Sequence, residues 1–288
     1  GKVTRVLEYS GPTHAPDFLF PEVPEAEREA QLAAHAGWLA PTHFVPHMDR
    51  LIVTIQLWLV QAGGNTILID TGVGNHKRRA APRLNMLNTL VGPWLEAAGA
   101  APAQVTHVVH THLHTDHVGG NTLEEGGRFV PAFPNARYLM PKADFAYWKA
   151  AYDGGDEMVQ AGSFADSVLP VLEAGLVDFY DGDKELAGCL APEAVPGHSP
   201  GLTALRLRSN GEEGYFSTDT MHSPIQIANP HWNDRYVVWA DQARESRAMV
   251  LARAAEREAL IMPFHFGAPY CGYVRRQGSG YRFEPAGW

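Results

Sequence analysis

The chain has 288 residues, 45% of them hydrophobic and 19% charged, a balance that suits a sizeable globular core and excludes a disordered chain. Lysine and arginine number 23 against 32 aspartates and glutamates, and the formal net charge of −9 argues against a nucleic-acid partner and against docking on anionic lipid. In chain order, a short strand is expected at residues 3–9. Residues 11–50 then differ in character, with Pro12, Pro16, Pro21, Pro24, Pro41 and Pro46 placed around one helix at about 25–38. Strands at about 51–61 and 66–70 flank the turn Gly63-Gly64-Asn65, and a helix at about 84–98 stops at Gly99. Residues 105–110 form a β-branched, buried strand. Helices at about 141–151 and 164–174 follow, with strands at 202–207 and 214–217. A long helix at about 240–257 and a last strand at 260–263 complete the pattern.

Strands come in pairs with helices between them, an order that suits two mixed sheets packed face to face with helices outside. No repeat, low-complexity tract or linker divides residues 1–288, so one domain is expected, with 11–50 acting within it as a lid or a dimer contact. No apolar run reaches the roughly 18–20 residues of a membrane span; the best candidate, residues 51–60, is broken by Thr54 and Gln56. The cysteines Cys189 and Cys271 lack CxxC spacing and read as reduced, structural thiols. The expected location is therefore cytoplasmic, with a signal peptide removed ahead of Gly1 as the alternative.

The histidines carry the chemistry. Thr111-His112-Leu113-His114-Thr115-Asp116-His117 directly follows a buried strand, and loops held by rigid strands are where sites are built. In an extended turn His112 and His114 point the same way, while Asp116 and His117 fall on the following bend. One segment thus offers ligands to two metals. Three nitrogen or oxygen ligands plus a water is the pattern of a catalytic zinc site, so further ligands are expected downstream. Three candidates stand in loops rich in Gly, Pro and Ser or Thr: His198 in Pro196-Gly197-His198-Ser199-Pro200-Gly201, Asp219 in Ser217-Thr218-Asp219-Thr220, and His265 in Pro263-Phe264-His265-Phe266.

His112-x-His114-x-Asp116-His117 followed by His198, Asp219 and His265 resembles the metallo-β-lactamase superfamily, and Asp70-Thr71-Gly72 resembles that fold's first motif. The resemblance covers roughly residues 50–270. It implies an αββα sandwich, an α/β fold with the metals at the sheet edge. It also implies that His112, His114 and His198 bind one divalent cation, that Asp116, His117 and His265 bind a second, and that Asp219 bridges both. Asp70 would stand behind a ligand histidine and orient it. Zinc is the expected metal, with iron, manganese or cobalt as alternatives for the same ligands.

Within that superfamily, the commonest zinc β-lactamases place a cysteine where Asp219 stands, and the diiron branch an acidic residue where His114 stands. Transfer-RNA processing nucleases share the seven ligands, but the acidic chain lacks a basic stripe. Glyoxalase II-type thioesterases share them too, although Arg275-Arg276 is a thin counterpart to their glutathione-binding residues. Residues 130–136, Val-Pro-Ala-Phe-Pro-Asn-Ala, and the proline-rich entry are similar to N-acyl-homoserine lactonases and methyl parathion hydrolase-like enzymes.

The expected function is hydrolysis of a small-molecule ester, a lactone ahead of a phosphotriester or a thioester, with a non-enzymatic metal binder as the rival from another class. Two cations ~3.5–4 Å apart would hold a bridging hydroxide, and Asp116 would pass a proton to the leaving oxygen. The expected partner is a small neutral molecule rather than nucleic acid or membrane, with homodimerisation as a further expectation. Tyr270, five residues beyond His265, and His222, three beyond Asp219, are candidates to hydrogen-bond substrate. Phe44 and Trp232 are candidate pocket walls, against the ordinary core role of such aromatics. His107 and His110 are expected to be packed, and His76 to be solvated.

Overall fold

In residues 51–60 apolar side chains occupy both alternating sets of positions, the pattern of a strand covered on both faces. The computed structural model describes residues 1–287 and begins with β1 (Lys2–His14), the two-residue β2 (Phe44–Val45) and β3 (Arg50–Ala62), in which Val53 through Val60 are all buried. β4 (Asn65–Ile69) returns antiparallel to β3, and β5 (His107–Val109) runs parallel to β4. A small hairpin, β6 (Thr122–Glu125) with β7 (Arg128–Pro131), stands apart. Parallel pairing then resumes with β8 (Arg137–Pro141) and β9 (Val177–Tyr180), giving a seven-stranded sheet of order β1-β3-β4-β5-β8-β9 with β2 on β3.

The second sheet has six strands in sequence order: β10 (Leu190–Ala194), β11 (Thr203–Ser209), β12 (Glu212–Phe216), β13 (Leu260–Ile261), β14 (Gly272–Gln277) and β15 (Gly280–Pro285). It too is mixed: β11–β12, β13–β14 and β14–β15 pair antiparallel, whereas β13 joins β12 in parallel. That pairing needs a crossover, and the helix Ala240–Glu256 lies within it.

The chain resolves into two compact units, each assembled from separate stretches: residues 1–9 with 55–192, and residues 10–54 with those from Glu193 onward. The first encloses a core of Leu57, Leu59, Leu68, Val108, Tyr138, Phe164 and their neighbours. The second has two cores. One joins Tyr215, Ile261, Phe266 and Val274 to Val250 and Leu251 of the long helix. The other is supplied largely by the proline-rich segment, whose Leu19, Phe20, Val23, Leu32, Leu39 and Phe44 pack with Leu51, Val53, Ile225 and Trp232. Phe44 and Trp232, expected as pocket walls, are buried in this cluster instead. The Trp232 ring lies 5.2 Å from that of Phe20, and its indole N–H donates to Glu27 at 2.8 Å.

Several expected boundaries hold within a residue or two, among them the helix Glu25–Leu39 and the helix Ala240–Glu256. The expected helix at 84–98 is only half present, as Val91–Ala97. Upstream, side chains satisfy the backbone in place of a helical ladder: Asn75 accepts from Thr89 N–H at 2.8 Å and donates to its carbonyl at 3.0 Å, and Asn85 accepts from Arg79 N–H. The stretch at 164–174 opens as a π-helical turn, Phe164–Val168, before becoming α-helical. β14 and β15 had no expected counterpart.

Phe20 is fully buried on a segment first read as a lid or dimer contact. Phe20→Ala is expected to cost about 3–5 kcal/mol in urea denaturation, the usual range for a core phenylalanine. A loss below about 1 kcal/mol would show that residues 11–50 do not build the core.

Candidate metal centre

In the first unit, β4 ends in Asp70-Thr71-Gly72, and Asp70 takes the left-handed conformation with φ of 58°. An aspartate tolerates this better than most residues, and the turn aims its fully buried carboxylate at the segment after β5. Oδ1 accepts from Thr111 N–H at 2.8 Å, and Oδ2 accepts from the Thr111 hydroxyl and from His117 Nδ1, both at 2.7 Å. His110 Nδ1 lies 3.3 Å from Oδ1. Burial pushes the Asp70 carboxyl up, but the neighbouring His117 and His110 more than offset this and hold it below the usual carboxylate range.

With Nδ1 of His117 bound to Asp70, its Nε2 is the nitrogen left to face a cation. The His112 ring is 4.0 Å from that of His117 and 4.5 Å from that of His114, centroid to centroid. Asp116, in the first turn of a short helix, lies beside them with a carboxylate oxygen 3.8 Å from His117 Nε2 and a quarter of its side chain exposed. Asp144 holds the loop from beneath: its carboxylate accepts from Leu113 N–H at 2.7 Å and from the Trp148 indole at 3.1 Å.

The Asp70 turn is itself anchored by Glu8 on β1, whose oxygens accept from Val73 N–H at 2.7 Å and Gly74 N–H at 2.9 Å. Gly72 has φ of 77°, which favours glycine, and a Cβ there would press on the Glu8 carboxylate and force it to shift.

In the second unit three imidazoles converge on one carboxylate oxygen. Asp219 Oδ2 lies 2.9 Å from His265 Nε2, 3.3 Å from His198 Nε2 and 3.5 Å from His222 Nε2, and all four side chains are at most 5% exposed. Asp219 sits in the tight turn that ends β12, His265 follows β13, and His198 follows β10. The opposite face of His265 is tied down, since Nδ1 donates to the Thr54 carbonyl at 2.7 Å. Behind His222 and His198 stands Asp234, with carboxylate oxygens 3.1 Å and 3.8 Å from their respective Nδ1 atoms. Burial pushes the Asp234 carboxyl up, but His222, His198 and Arg247 prevail and hold it well below the usual range. Gly197 is obligatory: a Cβ there would overlap the backbone of Ala243 in the long helix.

Buried nitrogen donors packed this closely around a carboxylate match the donor preference of zinc and neighbouring divalent metals. His198, Asp219 and His222 each offer a ligand atom within 4.8 Å of the others. The first unit therefore gathers His112, His114, Asp116 and His117 in front of Asp70, and the second gathers His198, Asp219, His222 and His265. Tyr270 lies partly exposed, in a turn beyond His265 with φ of 73°, apart from the Phe44 and Trp232 cluster. Sequence reasoning missed Glu8, Asp144 and Asp234, which stand alone in segments with no motif.

Residues 53–265, more than half of the chain, match the family described as the metallo-beta-lactamase superfamily, and the chain belongs to it. Among curated relatives, the N-acyl homoserine lactonase AttM of Azorhizobium caulinodans is 30% identical over 118 residues, 38% of this chain and 40% of that protein. The chain thus spans less than half the length of that relative. Among solved structures, hydrolase AbOPH of the beta lactamase superfamily has a TM-score of 0.80 at 24% identity, covering 99% of this chain and 94% of that one. AidC, a dizinc quorum-quenching lactonase in complex with a product, has a TM-score of 0.77 at 22% identity over 99% and 94% of the two chains. The fold is the metallo-β-lactamase fold, with mixed sheets and helices, as the sequence led us to expect. No helix among the described residues is long and apolar enough to cross a membrane.

Burial raises the Glu8 carboxyl from 4.5 to about 7, outweighing the two N–H donors that favour its charged form. Between those values the folded state binds more protons than the unfolded one. This group's contribution is therefore fully present at low pH and is lost as pH rises towards 7, by about 3 kcal/mol in all. Urea denaturation at about pH 5 and pH 8 should show that slope in the wild type and a flatter one in Glu8→Gln. Equal slopes would place the titration elsewhere.

Proposed function

We propose that this protein is a binuclear metal-dependent hydrolase of a small neutral ester, with a lactone as the preferred substrate. The observation that carries the reading is the convergence of His198, His222 and His265 on a single buried carboxylate oxygen of Asp219. Such a cluster is costly to bury without a cation. The matching cluster His112, His114 and His117 beside Asp116 supports a second cation, and the family match runs unbroken through both sets. The proposed ligands are His112, His114, Asp116 and His117 in the first unit and His198, Asp219 and His265 in the second. Zinc suits this donor set best. The lactone preference is supported by relatives named as lactonases, and the net charge of −9 favours a neutral substrate over a polyanion.

Divalent ions bound by these residues would lower the pKa of a water to around 7 and polarise a carbonyl oxygen. The protein's own groups supply the rest. Asp70 keeps His117 in the tautomer whose Nε2 can accept a cation, and the Thr54 carbonyl does the same for His265. Asp116, the partly exposed carboxylate of the set, would pass the proton given up by the attacking water to the departing alkoxide oxygen. Tyr270 is the candidate donor to the substrate carbonyl.

Metal analysis of the reconstituted protein should find two zinc ions per chain, and Asp219→Ala should lower that number. Recovery of at most one ion in the wild type would sink the binuclear account. Activity should be greatest on lactones in a panel that also holds a phosphotriester, a thioester and nitrophenyl esters. A preference for one of the other classes would redirect the substrate reading, and inactivity on all of them at full metal occupancy would favour a non-catalytic metal binder.

Asp116→Asn should lower kcat on aliphatic lactones by about 10²–10⁴-fold, the usual worth of general acid catalysis. The loss on nitrophenyl esters should be much smaller, because phenolate leaves without a proton. Both rates are to be compared at equal metal content. Equal losses on the two substrates would remove the proton-donor role and leave Asp116 as a ligand.

A further inference from the structure

Asp234 belongs to no motif, yet it is almost wholly buried and faces two imidazoles of the second unit at once. Its Oδ2 is 3.1 Å from His222 Nδ1, and its Oδ1 is 3.8 Å from His198 Nδ1. The other nitrogen of each ring, Nε2, lies 3.5 Å and 3.3 Å respectively from Asp219 Oδ2. The two rings thus stand between a carboxylate behind and a carboxylate in front, with centroids 5.0 Å apart. His222 is also stacked on His265 at 4.4 Å with an interplanar angle of 13°, so its orientation bears on a third ring.

The loop carrying Asp234 is built to stay in place. Arg247, nearly inaccessible in the long helix, donates to the carbonyls of Thr220 at 2.7 Å and Pro230 at 2.8 Å and to Asn233 Oδ1 at 3.2 Å. It thereby ties the turn after Asp219 to the segment before Asp234. Asn233 donates onward to the Ala240 carbonyl at 2.8 Å, and Tyr236 N–H closes on Asp234 Oδ1 at 3.1 Å. Downstream, Trp239 N–H donates to the Gly197 carbonyl at 2.8 Å and Val238 N–H to that of His198 at 3.2 Å. One buried arginine and one loop therefore fix Asp234 relative to both rings.

We infer that Asp234 is a positioning residue that holds His222 as its Nδ1–H tautomer, so that the ring presents Nε2 toward Asp219, and that His222 belongs to the cation-binding set beside His198 and Asp219. A carboxylate accepts but does not donate, so it selects the protonated Nδ1 of a neutral imidazole. The companion nitrogen is then an available lone pair, and the carboxylate raises its basicity. The inference rests on the proposed metal-dependent reading.

The decisive experiment has two readouts besides turnover. Long-range ¹H–¹⁵N spectra of the metal-free protein, at a pH where imidazole is neutral, should show His222 as its Nδ1–H tautomer. In Asp234→Asn, whose amide can donate toward the ring, His222 should shift to the Nε2–H form. Zinc affinity of the same variant, measured by competition with a chromophoric chelator, should fall about 10–100-fold, the usual effect of removing the carboxylate behind a ligand histidine. His222→Asn should also weaken zinc binding, because it removes the ligand that Asp234 positions.

Unchanged zinc affinity in a folded Asp234→Asn protein, with only thermal stability reduced, would overturn the inference and leave Asp234 as the counter-charge of Arg247. If that variant does not fold, the wild-type spectrum decides alone: an Nε2–H tautomer at His222 would overturn it. A wild type that binds no zinc would overturn the metal-dependent reading and the inference together.

Discussion

An imidazole has two nitrogens, and a fixed hydrogen-bond acceptor at one sets the tautomer and orientation in which the other can serve as a ligand. This constraint organises the histidine clusters of both units. Asp70 takes Nδ1 of His117, the Thr54 carbonyl takes Nδ1 of His265, and Asp234 faces Nδ1 of His222 and His198. Each acceptor is fixed by the backbone or by further hydrogen bonds, so no ring is free to turn over. The two units apply the same device separately, one to the segment after β5 and one to three loops at strand ends of the second sheet.

The acceptors must be buried to work, and burial sets demands on the surrounding chain. A carboxylate withdrawn from water needs compensating donors. Asp70 has Thr111 twice over, and Asp144 has Leu113 N–H and the Trp148 indole. Glu8 has two backbone N–H groups and still keeps a raised pKa, since in its case burial outweighs them. Close approach of backbone segments follows from the same demand. Gly72 leaves room for Glu8, and Gly197 leaves room for the start of the helix Ala240–Glu256. At these two positions close contact adds to a positive φ in favouring glycine.

The proline-rich segment shows how packing changes the meaning of a composition. Its prolines and interspersed aromatics resemble a surface excursion when read along the chain. In the folded second unit, Leu19, Phe20, Leu32, Leu39 and Phe44 instead close a core around Trp232 and Ile225. The prolines fit this role, because they start short helices at Pro16 and Pro46 and spare them unsatisfied N–H groups.

The sequence by itself determined the ligand types and the kind of loop that carries them. His112-x-His114-x-Asp116-His117 is a local pattern, dictated by the two-residue period of extended chain and the turn that follows a buried strand. The Gly and Pro residues around His198 and the turn after Asp219 are equally local. What stands behind the ligands was decided only in three dimensions. Asp144 is 31 residues from the N–H it accepts from, and the Thr54 carbonyl is 211 residues from His265. A lone buried aspartate such as Asp234 has no spacing that announces it. The missing half of the helix expected at 84–98 has the same origin, for Asn75 bonds Thr89 across 14 residues and competes with the helical ladder. Local pattern sets which candidate ligands gather at a strand end, whereas hydrogen-bond partners depend on where distant segments cross.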